Sequence, residues 1–215
     1  MNEFKSVEEY LKDYKKEESK KKERKEKKIF TFIESGKFKG KKLLLPSLST
    51  TRSTKSIVKT CVFNVIRNEL YDKTFIEVFG GSALMAAEAL SNYAKKAYAI
   101  EKDKKAYIIA LKNAKNIDEN LNVLNADSFE ILKNLVDNND DLILYFDPPF
   151  DIRDGYDDIY EKVYKLINSL NQDKIHKIII EHNSKIQTEQ KLRAFEKIKI
   201  KKFGSTTLSF YDKKL

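Results

Sequence analysis

Cysteine, histidine and long apolar runs are scarce in this 215-residue chain. The single cysteine, Cys61, excludes an internal disulfide and supplies no cysteine cluster for zinc, and we interpret it as a small helix residue rather than a nucleophile. With only two histidines, His176 and His182, metal chemistry and a Ser-His-Asp triad have little support. No apolar run approaches the roughly 18 residues of a transmembrane helix, and the charged N-terminus lacks the apolar segment of a secretory signal. We therefore expect a cytoplasmic protein that binds neither a membrane nor a metal.

The positive charge is concentrated in the first 59 residues. The net charge of the chain is +9, yet residues 60–215 contain 24 basic and 24 acidic residues. Residues 1–28 have a net charge of +3, and residues 29–59 have a net charge of +6. Such a basic segment is the electrostatic footprint expected for a polyanion such as RNA, with an ordinary solvated surface as the alternative. The residues predicted to contact RNA are Lys37, Lys39, Lys41, Lys42 and Arg52.

The patterns divide the chain into three segments. Residues 1–28 predict a charged arm, helical or disordered, in which residues 6–16 have the apolar spacing of a short amphipathic helix. Residues 29–52 alternate apolar and polar positions around two glycine turn signals, which predicts a basic β-hairpin. Residues 53–215 form the main domain.

The main domain alternates strand and helix patterns. The predicted strands are Phe75–Phe79, Lys96–Glu101, Asn120–Asn125, Leu142–Asp147 and Lys177–His182, followed by Phe195–Phe203 and Thr206–Tyr211 as an antiparallel hairpin. The predicted helices are Thr51–Leu70 (beginning at Ser53 or Thr54), Ala83–Ser91, Lys104–Asn116, Ser128–Val136 and Tyr156–Leu170. Repeated β-α units predict an α/β fold with a mostly parallel, Rossmann-like sheet and helices on both faces.

The most informative motif is Asp147-Pro148-Pro149-Phe150, which directly follows the apolar run Leu142–Phe146. The run predicts a buried parallel strand, and open α/β sheets bind ligands at the carboxyl ends of such strands. The prolines stiffen the loop, so the Asp147 carboxylate and the Pro148 carbonyl can both accept hydrogen bonds from one amino group. Phe150 can stack on a flat ring. The motif predicts a catalytic site for the exocyclic amine of a nucleobase, and the alternative is a strand cap followed by a proline turn.

Acidic residues fall at the ends of four predicted strands. Glu77, Glu101, Asp127 and Asp147 are separated by 24, 26 and 20 residues, about one β-α unit each, so all four should line one edge of the sheet. Gly80-Gly81 would let a ligand approach the backbone closely. Carboxylates repel phosphates, so the set favours a nucleoside with a cationic tail, such as S-adenosylmethionine. Taken singly, Glu101 or Asp127 fits an ordinary surface acid equally well.

Within this set, Glu101 is placed to accept hydrogen bonds from ribose hydroxyls, and Asp127 suits an adenine amine. The predicted cofactor-binding residues are Glu77, Phe79, Gly80, Gly81, Glu101, Asp127 and Ser128.

Over roughly residues 31–160 the chain resembles the RsmD-type methyltransferases, which modify the N2 amine of a guanine in bacterial small-subunit (16S) ribosomal RNA. SGKFKGKKLLLP is similar to the family's G-x-x-K-G-x-x-L-x-x-P, and Arg52-Ser53-Thr54 to its R-P-T segment. FIEVFGGSALMAAEAL resembles its cofactor segment, L-D-L-F-A-G-S-G-A-L-G-x-E-A-L. Glu101 and Asp127 fall on the family's ribose and adenine positions, and DPPF falls on its catalytic loop. The resemblance implies S-adenosylmethionine as cofactor and a Rossmann-like methyltransferase domain over residues 53–215.

Three features depart from the family pattern. Ser53 replaces a proline. Ala83 stands where the family has a glycine after the serine, which makes the backbone approach there tighter. The family's arginine-rich stretch is Ser56-Ile57-Val58-Lys59-Thr60 here, so this helix offers fewer charges to RNA.

Motifs and resemblance together predict a methyltransferase that acts on the exocyclic N2 amine of a guanine in 16S rRNA. The expected partner is ribosomal RNA or the assembling small ribosomal subunit, and we expect a monomer. N6-adenine methylation of DNA is one alternative, and the absence of a separate target-recognition domain argues against it. A non-catalytic RNA-binding module that has kept the fold is the other.

Overall fold

The computed structural model describes residues 29–46, 52–149 and 157–214, which form two β-sheets and five α-helices. The strands are β1 Ile29–Phe32, β2 Lys42–Leu45, β3 Thr74–Glu77, β4 Lys96–Ile100, β5 Leu121–Leu124, β6 Leu142–Phe146, β7 Ile175–Asn183, β8 Lys191–Leu192, β9 Phe195–Phe203 and β10 Thr206–Lys213. The helices are α1 Arg52–Ile66, α2 Leu84–Ser91, α3 Lys104–Ile117, α4 Ser128–Asp137 and α5 Asp157–Ser169, with a 3₁₀ turn at Gln172–Lys174. The predicted arm at residues 1–28, with its helix at 6–16, lies outside the described residues.

The large sheet has the strand order β5-β4-β3-β6-β7-β10-β9-β8. Strands β3 to β7 are parallel, and β10, β9 and β8 add antiparallel strands at one end. The mostly parallel sheet and its C-terminal hairpin are therefore confirmed. The chain builds outward from β3 in both directions, so the point where the strand order reverses lies between β3 and β6. Open α/β sheets bind their ligands at such a point.

Helices cover both faces of this sheet. Apolar side chains of α1, α2 and α3 pack on one face, and those of α4 and α5 pack on the other. Strand β6 is buried along its whole length, with Tyr145 in the first cluster and Phe146 in the second. This two-sided burial is why its sequence is a continuous apolar run rather than an alternating one.

Strands β1 and β2 form the predicted antiparallel hairpin, which packs on α2 and α3. Ile33 and Leu43 are buried in the same apolar cluster as α1 and α2. The turn is held against the end of α2, where Phe38 N donates to Ser91 Oγ at 2.9 Å. Gly36 has φ +80°, and a Cβ there would lie 1.8 Å from the Ser91 carbonyl oxygen. Only glycine fits this contact.

A buried ion pair fastens the hairpin to the helices. Glu88 and Lys59 are each 1% exposed, and their charged groups are 3.3 Å apart. Glu88 also accepts hydrogen bonds from the backbone N–H groups of Glu34 at 3.1 Å and Ser35 at 2.9 Å. Lys59 Nζ donates to the Phe32 carbonyl at 2.7 Å. Lys59, although part of the basic segment, is therefore engaged inside the protein rather than presented to a polyanion.

Some element boundaries differ from the predictions. The helix predicted to reach Leu70 ends at Ile66 and continues as turns, and the strand predicted to include Phe79 ends at Glu77. Strand β8 and the 3₁₀ turn were not predicted, because elements of two or three residues are too short to display a period.

Candidate active site

Four acidic residues meet at the carboxyl edge of the parallel sheet, as their spacing predicts. Glu77 is the last residue of β3, Glu101 and Asp147 directly follow β4 and β6, and Asp127 lies in the loop after β5. These four strands are adjacent in the order β5-β4-β3-β6. Since neighbouring strands lie about 4.8 Å apart, the acids span roughly 14 Å along the edge. That width suits a nucleoside with an extended tail.

The glycine loop after β3 brings backbone close to this edge. Gly80 N donates to the Ile100 carbonyl at 2.7 Å, and a Cβ on Gly80 would lie 3.1 Å from that same oxygen. Gly81 has φ +49° and faces open space, with no heavy atom within 4 Å of a Cβ built on it. Ala83 is fully buried with φ +60°, the left-handed conformation that glycine adopts more readily. The departure at Ala83 therefore falls on a strained position.

Glu101 ties the glycine loop to the loop after β4. Its carboxylate accepts a hydrogen bond from Gly81 N at 2.7 Å and another from Asp103 N at 2.6 Å. The side chain is half-buried at the mouth of the loop. A carboxylate held from both sides in this way is positioned before any ligand arrives.

Asp127 caps α4 and carries a salt bridge. Its carboxylate accepts from Phe129 N at 2.9 Å and lies 2.8 Å from Lys102 Nζ. The hydrogen bond from Lys102, followed by the one from the Phe129 N–H, holds the pKa of the Asp127 carboxyl below its usual range. The group is thus ionised and can accept hydrogen bonds from an amine, although it shares its oxygens with these partners.

Glu77 and Ser128 join two helices to the end of β3. The buried Glu77 carboxylate accepts from Ala86 N at 3.0 Å in the first turn of α2. The Ser128 hydroxyl, at the start of α4, donates to the Val78 carbonyl. Phe79 lies between these elements, with its ring centroid 5.9 Å from that of Phe129. These contacts fix the floor of the site.

Asp147 and Pro148 lie just past β6, half-buried and buried respectively, and Pro149 is exposed. Beneath them the Tyr145 hydroxyl donates to the buried Glu181 carboxylate. Burial, followed by the nearby Glu181 and Asp147 carboxylates, raises the pKa of Tyr145 well above its usual value. Tyr145 is therefore a neutral donor next to Asp147. Phe150 lies outside the described residues.

The predicted RNA-binding lysines are exposed, but several lie far from Asp147. Lys37 Nζ is 3.2 Å from the Asp118 carboxylate, and Lys41 Nζ donates to the Asn116 carbonyl at 3.1 Å. Asp118 precedes β5, so this part of the hairpin lies at the amino edge of the sheet. Lys39 belongs to the same turn. The structure does not bring these lysines together with the acidic edge.

The remaining two RNA-binding predictions concern Lys42 and Arg52. Lys42, on β2, lies over the Phe30 ring at 5.7 Å from its centroid. Arg52 is the first residue of α1, and its side chain lies outside the described part of the chain.

Two site-supporting residues were missed from the sequence. Glu181 lies inside β7, two residues before its end and level with Asp147 in the sheet, so the rule that looks for acids after a strand does not single it out. Asn113 of α3 donates to the Ser82 carbonyl at 2.8 Å and exchanges hydrogen bonds with Leu44 of β2. No sequence signal marks Asn113, because its role depends on how three separate elements pack.

Within the described ranges, no cluster of three or more histidine, cysteine, aspartate or glutamate side chains is arranged to hold a metal ion. In the same residues, no helix has the length and apolar character needed to cross a membrane.

Comparison with known proteins places the chain in a family. The family model described as conserved hypothetical protein 95 matches residues 31–212. The chain belongs to this family. The resemblance to RsmD-type methyltransferases, first drawn from the motifs, is thereby confirmed.

Individual relatives support the same assignment. The ribosomal RNA small subunit methyltransferase D of Buchnera aphidicola (subsp. Acyrthosiphon pisum) is 28% identical over 120 residues, which is 55% of this chain and 62% of the relative. The chain spans about three fifths of the length of the curated relatives it matches.

Solved structures share the fold. The Escherichia coli protein yhhF superposes with a TM-score of 0.68 at 21% identity, covering 86% of this chain and 99% of that one. A methyltransferase structure complexed with SAH superposes with a TM-score of 0.57 at 15% identity, covering 81% of this chain and 52% of that one. The Rossmann-like methyltransferase fold is confirmed.

Proposed function

We propose that this protein transfers a methyl group from S-adenosylmethionine to the exocyclic N2 amine of a guanine in small-subunit ribosomal RNA. The observation that carries the proposal is the convergence of Asp147-Pro148 with Glu77, Glu101 and Asp127 at one edge of the sheet, beside the point where the strand order reverses. The curated relatives are named ribosomal RNA small subunit methyltransferase D, which supports ribosomal RNA as the substrate class.

The residues present fit S-adenosylmethionine. The open side of Gly81 leaves room for a ligand against the backbone, and the adjacent Glu101 carboxylate can accept hydrogen bonds from ribose hydroxyls. Asp127 would accept from the adenine amine, and the Ser128 backbone would flank the ring. The proposed cofactor-binding residues remain Glu77, Phe79, Gly80, Gly81, Glu101, Asp127 and Ser128. When bound, the cofactor supplies an electrophilic methyl group.

Asp147 and Pro148 would orient the target amine. An exocyclic amine is a weak nucleophile because its lone pair is delocalised into the ring. If the Asp147 carboxylate and the Pro148 carbonyl each accept one of its N–H groups, the lone pair points toward the incoming methyl group. Orientation of this kind can supply roughly 7–11 kcal/mol of the barrier. Pro149 keeps the loop stiff, and we propose that Phe150 stacks on the base, worth about 1–3 kcal/mol.

The target base must leave its helix to reach this edge, so the substrate is single-stranded or flipped. We propose that the basic hairpin (Lys37, Lys39, Lys41 and Lys42) and Arg52 contribute phosphate contacts elsewhere on the RNA. The ion pair of Lys37 with Asp118 and the hydrogen bond of Lys41 to a carbonyl reduce what those two lysines can offer.

The decisive experiment replaces Asp147 with alanine and measures methyl transfer into small-subunit rRNA, together with cofactor affinity by calorimetry. Asp147→Ala should abolish transfer while leaving cofactor affinity within a few fold, because its acceptor role acts on the base. Asp140→Ala is the matched control, since Asp140 precedes the same strand at the opposite edge and is 76% exposed. Near-normal turnover of Asp147→Ala would refute the proposed site.

The same assay separates the other functions. If the parent protein binds RNA but no S-adenosylmethionine, it is a non-catalytic module. If the product is N6-methyladenine in DNA, the substrate assignment is wrong. Mapping the modified nucleoside by mass spectrometry tests guanine N2 directly.

A further inference from the structure

Strand β9 carries a local excess of positive charge that the neutral total of residues 60–215 conceals. Its sequence, FEKIKIKKF, contains four lysines and one glutamate. Lys199, Lys201 and Lys202 are exposed, and within the described residues no carboxylate lies within salt-bridge distance of any of them. Lys197 differs, because its Nζ donates to the Thr188 carbonyl at 2.7 Å. We call Lys199, Lys201 and Lys202 the β9 lysines.

The strand register places two of the β9 lysines level with the catalytic loop. Phe146 pairs with Ile180, Ile180 with Ser209, and Ser209 with Ile200. Asp147 follows Phe146 on the chain, and Lys201 follows Ile200. Asp147 and Lys201 therefore lie level with each other in the next row of the sheet. The next position brings Lys202 level with Pro148. Three strand spacings separate β6 from β9, which is roughly 14 Å.

Two of the β9 lysines, Lys199 and Lys201, also border α1. Burial raises the pKa of the Cys61 thiol, and the nearby positive charges of Lys201 and Lys199 act in the opposite direction. One helical turn before Cys61, Ile57 is 54% exposed. Lysines and apolar side chains thus lie side by side beside the catalytic edge, a combination suited to a polyanion that also presents bases.

We propose that the β9 lysines bind RNA phosphates next to the target nucleotide. This inference rests on the proposed function, because it assumes that the target base binds at the Asp147 loop. The RNA backbone would then run from that loop across β7 and β10 to β9. The phosphate contacts nearest the target nucleotide are therefore assigned to β9, whereas the hairpin turn lies at the opposite edge of the sheet. A short RNA held at Asp147 would therefore depend on β9, and only a longer RNA would reach the hairpin.

Edge protection is the competing explanation for these lysines. Strand β9 pairs with β10 on one side, but β8 covers only Phe195 and Glu196 on the other. Lysines on a long uncovered edge discourage pairing with another molecule. If that were their whole role, removing them would cause self-association without weakening the binding of RNA by the monomer.

The test replaces all three β9 lysines with glutamine in the full chain. The control replaces Lys112, Lys115 and Lys133, exposed lysines on α3 and α4, so that net charge changes equally. Binding is measured by fluorescence anisotropy between 50 and 200 mM salt, using a short stem-loop from small-subunit rRNA that is methylated by the parent protein. Each lost phosphate contact should flatten the slope of log affinity against log salt by about 0.7–0.9.

The β9 variant should lose about 2 units of slope and bind the stem-loop between tenfold and a hundredfold more weakly at 0.1 M salt, while the control changes less than threefold. The inference is overturned if the β9 variant binds like the control, or if sedimentation shows self-association while the monomer keeps its affinity. Failure of the proposed function is a separate result, because it would appear as absent methyl transfer in the parent protein.

Discussion

Replacing Glu88 with alanine should destabilise the protein by about 3–5 kcal/mol, the range for breaking a buried ion pair by removing one partner. The reason is that Lys59, 1% exposed, loses the carboxylate that lies 3.3 Å from its Nζ. Glu34 also lies near Lys59, at 3.6 Å, but its side chain is 38% exposed and compensates only in part. The backbone N–H groups of Glu34 and Ser35 lose an acceptor as well.

Urea unfolding measures this change as a lower midpoint with an unchanged slope. In a chain of this size each kcal/mol corresponds to about 2–4 °C in melting temperature, so the variant should melt roughly 6–20 °C lower. Glu88→Gln keeps a hydrogen-bond acceptor without the charge and should be intermediate.

A double variant gives the control. Glu88→Leu with Lys59→Met removes both charges and fills the space, which is often neutral for buried pairs. It should recover at least half of the loss, although the N–H groups of Glu34 and Ser35 still lack their acceptor. A Glu88→Ala variant within 1 kcal/mol of the parent, or a double variant as unstable as Glu88→Ala, would refute the reasoning.

Three further outcomes are expected. Glu101→Ala should weaken S-adenosylmethionine binding at least tenfold by calorimetry, at roughly 1.5–3 kcal/mol per charge-assisted hydrogen bond lost, and unchanged affinity would remove Glu101 from the cofactor site. Gly36→Ala should undock the hairpin and lower the urea midpoint far more than Gly40→Ala. Both glycines have positive φ, but only Gly36 lies against a neighbouring backbone, so equal effects of the two substitutions would contradict this explanation. Burial holds the pKa of His182 below its ordinary value of 6.5, so the free energy of unfolding should fall as the pH drops below about 6.5. Urea titrations from pH 5 to 8 should show that a His182→Gln variant loses part of this pH dependence.

The acidic edge could be predicted because the carboxyl end of a parallel strand is fixed by the β-α period. Glu77, Glu101, Asp127 and Asp147 follow from that rule alone. Glu181 lies near the same edge, but it is inside the long strand β7 rather than after it, so a search for acids that follow strands does not draw attention to it. Its link to Tyr145 depends on neighbouring strands and leaves no periodic signal.

The position of the basic residues could not be predicted from charge counts. A count locates charge along the chain, whereas the edge of the sheet that a lysine occupies depends on how the hairpin docks. The close contact between Gly36 and Ser91 holds the turn at the amino edge of the sheet, and Lys37 lies in that turn. The β9 lysines escaped notice because the net charge was summed over residues 60–215, where acids elsewhere in the sequence cancel their positive charge.

Asn113 has a consequence for recombining this protein with its relatives. One side chain joins β2, through Leu44, to the glycine loop, through Ser82. A chimaera with its crossover between residues 46 and 52 would inherit the two sides of this contact from different parents, with Leu43 also transplanted into a foreign core. The hairpin and the glycine loop should therefore be exchanged together, and a crossover ahead of residue 29 leaves both intact.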